Sequence, residues 1–331
     1  MIFPASPDSI TKVAAILRQG GLVALPTETV YGLAADACNE QAVQRIYEAK
    51  GRPSYNPLIV HVDSLATAKK FGVFSAAAEE LAALFWPGAL TLVVDLCPAS
   101  GLAPSVTAGL NSVGLRCPAH PIFRRVLQEA GCVVAAPSAN PSGYVSPTTP
   151  QHVAENLGER LDAILAAGRC DLGIESTIID CTVSPPVILR HGAVSVDEIR
   201  AQSGMPIEDA QELLIEGEIA TIKAPGMTAR HYAPRLPLRL EATGLHHEEA
   251  VLGFGPASAL LAKRAVAYRN LSEQGDLYEA ARNLFLMLRE LENSAAKAIA
   301  VAPIPHIGIG RGINDRLKRA AIAPYKEGQD E

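Results

Sequence analysis

Two cations flank a glycine at Lys50-Gly51-Arg52, between two apolar runs that read as strands. A guanidinium takes phosphate oxygens two at a time and an ammonium takes them as a point charge, so the pair suits a polyanion such as a nucleotide phosphate. A helix C-terminus would attract cations through its dipole alone, so the pair does not stand as a site by itself. Upstream, Thr27-Glu28-Thr29 places two hydroxyls and a carboxylate where an apolar run ends at Pro26, the place where α/β sheets hold ligand groups. Downstream, Pro137-Ser-Ala-Asn-Pro-Ser-Gly143, with Ser146-Pro-Thr-Thr149 just after it, repeats that logic behind the apolar residues 132–136. Small hydrogen-bonding side chains on a proline-stiffened backbone let a ligand come close, although the same residues dominate ordinary turns. Ser138 has no neighbouring base pattern, so the chemistry expected is the positioning of charged substrates and not a covalent intermediate.

The elements that must hold these groups follow from periodicity. Residues 22–25 and 58–62 read as buried strands, and His61 among apolar neighbours would ordinarily be a core residue. Val43, Ile46 and Tyr47 give residues 40–49 a helical face that Gly51 closes. Asp8 or Ser9 is expected to cap a first helix carrying Ile10, Val13, Ala14 and Leu17. Further strands are expected at 90–96, 113–117 with Arg116 at its end, 132–136, 163–167, 173–180 and 187–190 ending on Arg190. Helices are expected within 64–85 and at 120–130, 150–161 and 196–202, and residues 98–111 read as a loop. A first domain spans 1–204. Residues 205–236 form a connector that carries Lys223, Arg230, His231 and Tyr232, more decoration than a passive spacer needs; it is the candidate lid of the site. Residues 237–331 alternate strands (238–240, 251–254, 265–268, 298–301) with helices (276–293, 315–321), the pattern of a small α/β domain.

Composition removes several classes. The net charge of −6 argues against a broad basic face for nucleic acid. The six cysteines are scattered without metal-like spacing and are expected as free buried thiols in a reducing compartment. The N-terminus lacks the features of a signal peptide and no apolar run has a membrane helix's length, so the expected location is cytoplasmic. No P-loop or zinc-protease pattern is present. Gly308-Ile-Gly310-Arg-Gly312 is expected to be a structural turn, and His246-His247 a solvated pair.

Taken together and in order, these segments resemble the threonylcarbamoyl-AMP synthases in their long, two-domain form, whose N-terminal part is a YrdC-type domain. The resemblance rests on P-T-E-T-V-Y-G-L from Pro26, K-G-R-P from Lys50, N-P-L-I-V-H from Asn56 and W-P-G-A-L-T-L from Trp86. It continues through R-C-P-A-H-P from Arg116, A-P-S-A-N-P-S-G from Ala136, E-S-T-I-I-D from Glu175, the connector A-P-G-M-T-A-R-H-Y-A-P and the D-R-L-x-R-A run from Asp315. It implies an α/β (α+β-like) fold: a twisted mixed sheet flanked by helices, plus a smaller Rossmann-like α/β C-terminal domain. The implied reaction joins L-threonine, bicarbonate and ATP into L-threonylcarbamoyladenylate with release of pyrophosphate, the first step of threonylcarbamoyladenosine formation in tRNA. The resemblance implies catalytic roles for Lys50 and Arg52. ATP contacts are implied for Lys50, Arg52, Asn56, Ser112, Ser138, Asn140, Ser146, Arg190 and Tyr232, and threonine contacts for Thr29, His61, Arg116 and Ser176. Mg²⁺ is expected to travel with ATP without a dedicated protein site. The product is expected to pass to a tRNA threonylcarbamoyl-transferase complex, with at most weak RNA contact and no membrane. The alternative is a nucleotide- or RNA-binding regulatory module without turnover; Lys50, Arg52, Ser138 and Asn140, all present, argue against it.

Overall fold

The protein is described here by a computed structural model covering residues 1–210 and 231–322. Lys223 and Arg230 of the connector lie outside the described residues. The chain forms two compact units, Met1–Ser142 with Ser146–Met227, and Gly143–Val145 with Thr228–Glu331.

The first unit is built on one sheet of 12 strands among the described residues. In chain order these are β1 (Ile2–Pro4), β2 (Val23–Leu25), β3 (Gly32–Asp36), β4 (Ile59–His61), β5 (Gly72–Val73) and β6 (Leu90–Leu96). They continue with β7 (Ser112–Arg116), β8 (Val134–Ala135), β9 (Ala163–Ala166), β10 (Thr177–Asp180), β11 (Val187–Arg190) and β12 (Glu208–Asp209). The order across the sheet is β1-β9-β2-β3-β8-β4-β7-β6-β10-β11-β12, with β5 on β6, and the pairing is mixed parallel and antiparallel. The period of two sorts the core to both faces. Ala24, Leu33, Ala35 and Ala135 join the larger cluster with Val43 and Ile46 of α2 (Glu40–Lys50). Val23, Leu25, Ala34 and Val134 pack instead with Leu17 of α1 (Pro7–Arg18) and with Phe123 and Val126 of the helix Pro121–Ala130.

Several boundaries depart from the sequence expectation. Ser6, not Asp8 or Ser9, caps α1, its Oγ accepting the Ser9 N–H at 3.3 Å. Pro7 occupies the first helical turn, where its missing N–H costs nothing, and so moves the cap one residue ahead of itself. The loop at 98–111 contains a short helix, Pro104–Thr107. The sheet continues past residue 204, because Glu208–Asp209 pairs in parallel with β11; the segment expected as connector from 205 onward therefore starts within the first unit. Cys38 is exposed and Cys97 and Cys132 are half-buried, so only Cys117, Cys170 and Cys181 are the buried thiols expected.

The second unit carries a parallel sheet of four strands in the order β13-β16-β14-β15, where β13 is Leu238–Arg239, β14 Glu249–Gly253, β15 Tyr268–Asn270 and β16 Ala298–Val301. The third strand begins where the expected one ended, at Tyr268. The long helix Leu277–Glu292 buries Ala280, Ala281, Leu284, Phe285 and Leu288 on one stripe. The last helix, Gly310–Ala320, begins five residues before the expected Asp315 and takes in two of the glycines expected as a turn. A side chain at Gly310 would run into the Pro305 carbonyl, so the glycine there serves close packing inside a helix. Residues Gly143–Val145 belong to this unit: the Tyr144 hydroxyl donates to Glu292 at 2.8 Å, Arg289 donates to the Val145 carbonyl at 2.5 Å, and Ala233 N–H donates to the Gly143 carbonyl at 2.9 Å. His246 and His247 are exposed, as expected, beside Glu249 and Glu248.

Candidate active site

The strand–loop–strand from β2 to β3 closes on itself first. Thr27 Oγ1 accepts the N–H groups of Thr29 and Val30 at 3.0 and 3.1 Å and donates to the Val30 carbonyl at 2.7 Å. A hydroxyl folding back on the next two amides is a common way to fix such a turn. The loop is then laced to the Ser138 segment: Ala139 N–H donates to the Tyr31 carbonyl at 2.8 Å, Leu33 N–H to Pro137 at 2.7 Å, and Tyr31 N–H to Pro147 at 2.9 Å. The two polar stretches that resembled each other in sequence are thus neighbours.

Arg116, at the end of β7, lies in register with His61 on β4. Its Nε donates to the Gly88 carbonyl at 3.1 Å, Nη1 to Thr29 Oγ1 at 3.0 Å and Nη2 to Glu28 Oε1 at 2.5 Å. Arg116 and Glu28 are both buried. Burial works against the Glu28 carboxylate, but the Arg116 charge and hydrogen bonds to it outweigh burial and hold its pKa below the usual value. His61 is 3% exposed, with its ring centroid 5.3 Å from that of Phe123. Burial, and then the Arg116 charge, push its pKa from 6.5 down to about 3, so the ring is neutral. Nδ1 lies 3.3 Å from the Ile59 carbonyl; a carbonyl only accepts, so Nδ1 carries the proton and Nε2 is left as an acceptor.

This has a consequence for stability. Above pH 6.5 His61 is neutral in folded and unfolded chains alike. Between 6.5 and about 3 the unfolded chain binds a proton that the folded chain refuses, so the unfolding free energy falls as pH falls through that window. His61→Gln is expected to flatten this slope: its urea midpoint should drop less than wild type between about pH 7 and pH 5. Equal drops would assign the slope to other groups.

The cation pair sits on the other side of the Ser138 loop. Gly51 takes a left-handed φ of 58° at the end of α2, as a glycine there should. Lys50 is 3% exposed, and its Nζ donates to the carbonyls of Ser138 and Asn140, each at 2.5 Å. Burial, reinforced by Arg52 and opposed by Glu175, drives its pKa well below that of an ordinary lysine. Arg52 donates from Nε to the Asn56 carbonyl at 3.1 Å and from Nη2 to Asn56 Oδ1 and the Pro57 carbonyl at 2.6 and 2.7 Å. Ser146 donates to Glu175 Oε1 at 2.5 Å. Arg190 reaches the Ser176 carbonyl at 2.9 Å and its Oγ at 3.2 Å, and Ser176 Oγ is 2.8 Å from Thr91 Oγ1. Asn140 is buried, with Nδ2 donating to the Pro141 carbonyl at 2.8 Å.

The structure therefore brings Thr29 to Arg116 and sets His61 in register with it, joins Lys50 to the Ser138–Asn140 loop, and ties Arg190 to Ser176. Ser112 opens β7 at the end away from Arg116 and lines a small cavity with Pro57 and Thr107. Tyr232 belongs to the second unit, where it is 1% exposed, stacks on Phe285 at 5.8 Å and lies under the Arg316 guanidinium at 5.2 Å. Glu28 stood in the expected Thr27–Thr29 ligand turn without an assigned contact, and Glu175 and Thr91 had none either. The signal for the two glutamates was present: each is a carboxylate next to a hydroxyl residue in a polar turn beside a strand. Among the described residues no cluster of three His, Cys, Asp or Glu is placed to hold a metal ion, and no helix is long and apolar enough to cross a membrane.

Two family models match the chain: one described as "Telomere recombination" over residues 15–192, and one described as "Threonylcarbamoyl-AMP synthase, C-terminal domain" over residues 194–322. The threonylcarbamoyl-AMP synthase of Bacillus subtilis is 39% identical over 324 residues, covering 94% of this chain and 92% of the relative. That of Pyrococcus abyssi is 39% identical over 320 residues, covering 93% and 92%. The crystal structure of P. abyssi Sua5 complexed with L-threonine superposes with a TM-score of 0.87 at 35% identity, covering 97% of each chain. With both halves of the chain matched by family models and full-length relatives on either side, the chain belongs to the threonylcarbamoyl-AMP synthase family and is an L-threonylcarbamoyladenylate synthase.

Proposed function

We infer that the polar loops of the first unit divide the substrates between them, threonine on the Arg116 side and the ATP phosphates on the Lys50 side. The observation that carries this reading is the separation of two buried cationic groups, Arg116 with Thr29 and a neutral His61, and Lys50 with Arg52, by one shared loop at residues 137–140. Threonine binding by the P. abyssi relative supports it. Arg116 takes the threonine carboxylate, and Thr29, the His61 Nε2 acceptor and Ser176 read the rest of the amino acid. Lys50, Arg52 and Arg190 face the triphosphate. Asn56, Ser112, Ser138, Asn140 and Ser146 hold phosphate and ribose.

The threonine amine forms a carbamate with CO₂ drawn from bicarbonate, and a carbamate oxygen then attacks the α-phosphorus while pyrophosphate leaves. Both steps depend on holding the reacting atoms in line and placing cations where charge builds up. Mg²⁺ would travel with the triphosphate and would neutralise part of its charge; the Ser146 hydroxyl and Glu175 carboxylate are hard oxygen donors of the kind it would take. Burial of Lys50, Arg52 and Arg116 keeps water from competing for the phosphates and for the activated product. The product is a mixed anhydride that a separate tRNA threonylcarbamoyl-transferase complex consumes. The purified protein is expected to release pyrophosphate from ATP only when threonine and bicarbonate are both supplied. ATP binding without such release would overturn the reading.

A further inference from the structure

Glu28 is left without a role in the chemistry above. It is 8% exposed, and one carboxylate oxygen is committed to Arg116. The other, Oε2, is shielded from solvent and accepts no well-formed hydrogen bond among the described residues, although the backbone N–H groups of Glu28 and Ala119 lie near enough to the carboxylate to help lower its pKa. A buried acceptor without a donor is costly, and it marks a place where a ligand would bring one. Arg116 is the complementary case. Among the described residues three of its five N–H groups are used, by Gly88, Thr29 and Glu28, which leaves one on each terminal nitrogen. The contacting Arg116–Glu28 pair thus presents unused donors beside an unused acceptor. An α-amino acid is the matching ligand, because its carboxylate and its amine sit on the same carbon.

We propose that Glu28 is a catalytic residue, its Oε2 receiving the threonine amine and taking the amine's proton as the carbamate forms. The proposal rests on the reading that Arg116 holds the threonine carboxylate. The amine enters as its free base. Its lone pair forms the N–C bond to CO₂, and one C=O pair moves onto oxygen. An N–H bond breaks with its electrons left on nitrogen, and the proton goes to Oε2. Amine, CO₂ and glutamate give carbamate and glutamic acid, and Glu28 returns the proton to water. A resting ammonium is too weak an acid for this transfer. Once the N–C bond is forming, the nitrogen carries positive charge and its N–H becomes far more acidic than a carboxylic acid, so a glutamate suffices as base. The Arg116 charge keeps Glu28 deprotonated and ready.

Glu28→Gln tests this, since the amide still accepts from Arg116 but takes no proton. The adenylyl step run backwards, from threonylcarbamoyl-adenylate and pyrophosphate to ATP, moves no proton on nitrogen. The variant is expected to slow threonine- and bicarbonate-dependent pyrophosphate release by about 100-fold or more, while ATP formation in the reverse direction stays within about five-fold of wild type. Glu28→Asp, which keeps a carboxylate, should recover part of the forward rate and show the same split, and it carries the test if the glutamine variant melts below assay temperature. A forward rate near wild type overturns the proposal. So does an equal loss in both directions, which would make Glu28 only the partner that orients Arg116. Failure of the underlying reading shows elsewhere: an unchanged threonine KM in Arg116→Ala would move the carboxylate off Arg116 whatever the Glu28 variants do.

Discussion

Lys50→Ala is expected to lower threonine-dependent pyrophosphate release by about 100- to 1000-fold, the loss typical of removing one preorganised group that faces transition-state charge. Two effects combine in it. The variant loses a cation from the phosphate side, and it strips the Ser138 and Asn140 carbonyls of the donor they share. The loop keeps its backbone tie to α2, the Ser142 N–H donating to the Lys50 carbonyl at 2.8 Å, but it loses the ammonium that orients its two carbonyls, so ATP affinity should fall with the rate. Stability should change less than activity. Leaving a buried acceptor unsatisfied costs about 1–3 kcal/mol, but the variant also no longer has to strip water from a buried ammonium, a burden visible in the lowered pKa of Lys50. A melt that stays cooperative within several degrees of wild type, together with a near-complete loss of turnover, is the expected pair of measurements. A wild-type rate would place the triphosphate elsewhere.

Arg116→Ala is expected to act on both folding and threonine. Arg116 and Glu28 form an ion pair whose side chains are only 5% and 10% exposed. Removing one partner of such a pair leaves the other as an uncompensated buried charge and costs about 3–5 kcal/mol. Without Arg116, burial raises the Glu28 pKa against only the backbone hydrogen bonds from Glu28 and Ala119, so part of the loss is relieved by protonation. The threonine KM should rise by about 100-fold, equivalent to the 2–5 kcal/mol typical of removing one member of a buried charge pair in a binding site. Chemical denaturation and threonine titration of the pyrophosphate assay read the two effects separately. An unchanged denaturation midpoint would mean that the ion pair contributes no net stability.

Much of this site could be read from the chain alone, and the reasons are local. Pro26, Gly51 and the Pro137–Gly143 cluster stop strands and a helix at fixed points, and each stop leaves polar side chains at a sheet end. The α2 helix and its left-handed glycine follow directly from spacing and composition. What was not legible depends on partners far away in sequence. Glu28 reads as a carboxylate at a ligand-holding strand end, but its partner appears only when the fold brings Arg116, 88 residues later, to its side chain. Glu175 likewise acquires a role through Ser146, 29 residues earlier. His61 has the sequence environment of a core histidine and is in fact buried; its register opposite Arg116 is set by sheet pairing, which its spacing does not encode. The two-residue strand Glu208–Asp209 is too short to show any period, and Gly310 at the start of the last helix is explained by the nearby Pro305 carbonyl.

Gly143–Val145 lie between Ser142 and Ser146 in the chain, yet they are folded with residues that begin more than eighty positions later. The two units are therefore not consecutive blocks that evolution or a protein engineer can lift apart at the connector. A chain shortened there would keep Tyr144 while losing Glu292 and Arg289, the groups that hold its hydroxyl and its ring. Loss of the second unit would demand new residues at 143–145 in the same lineage. Substitutions in this three-residue stretch and in the Leu277–Glu292 helix should accordingly be inherited together.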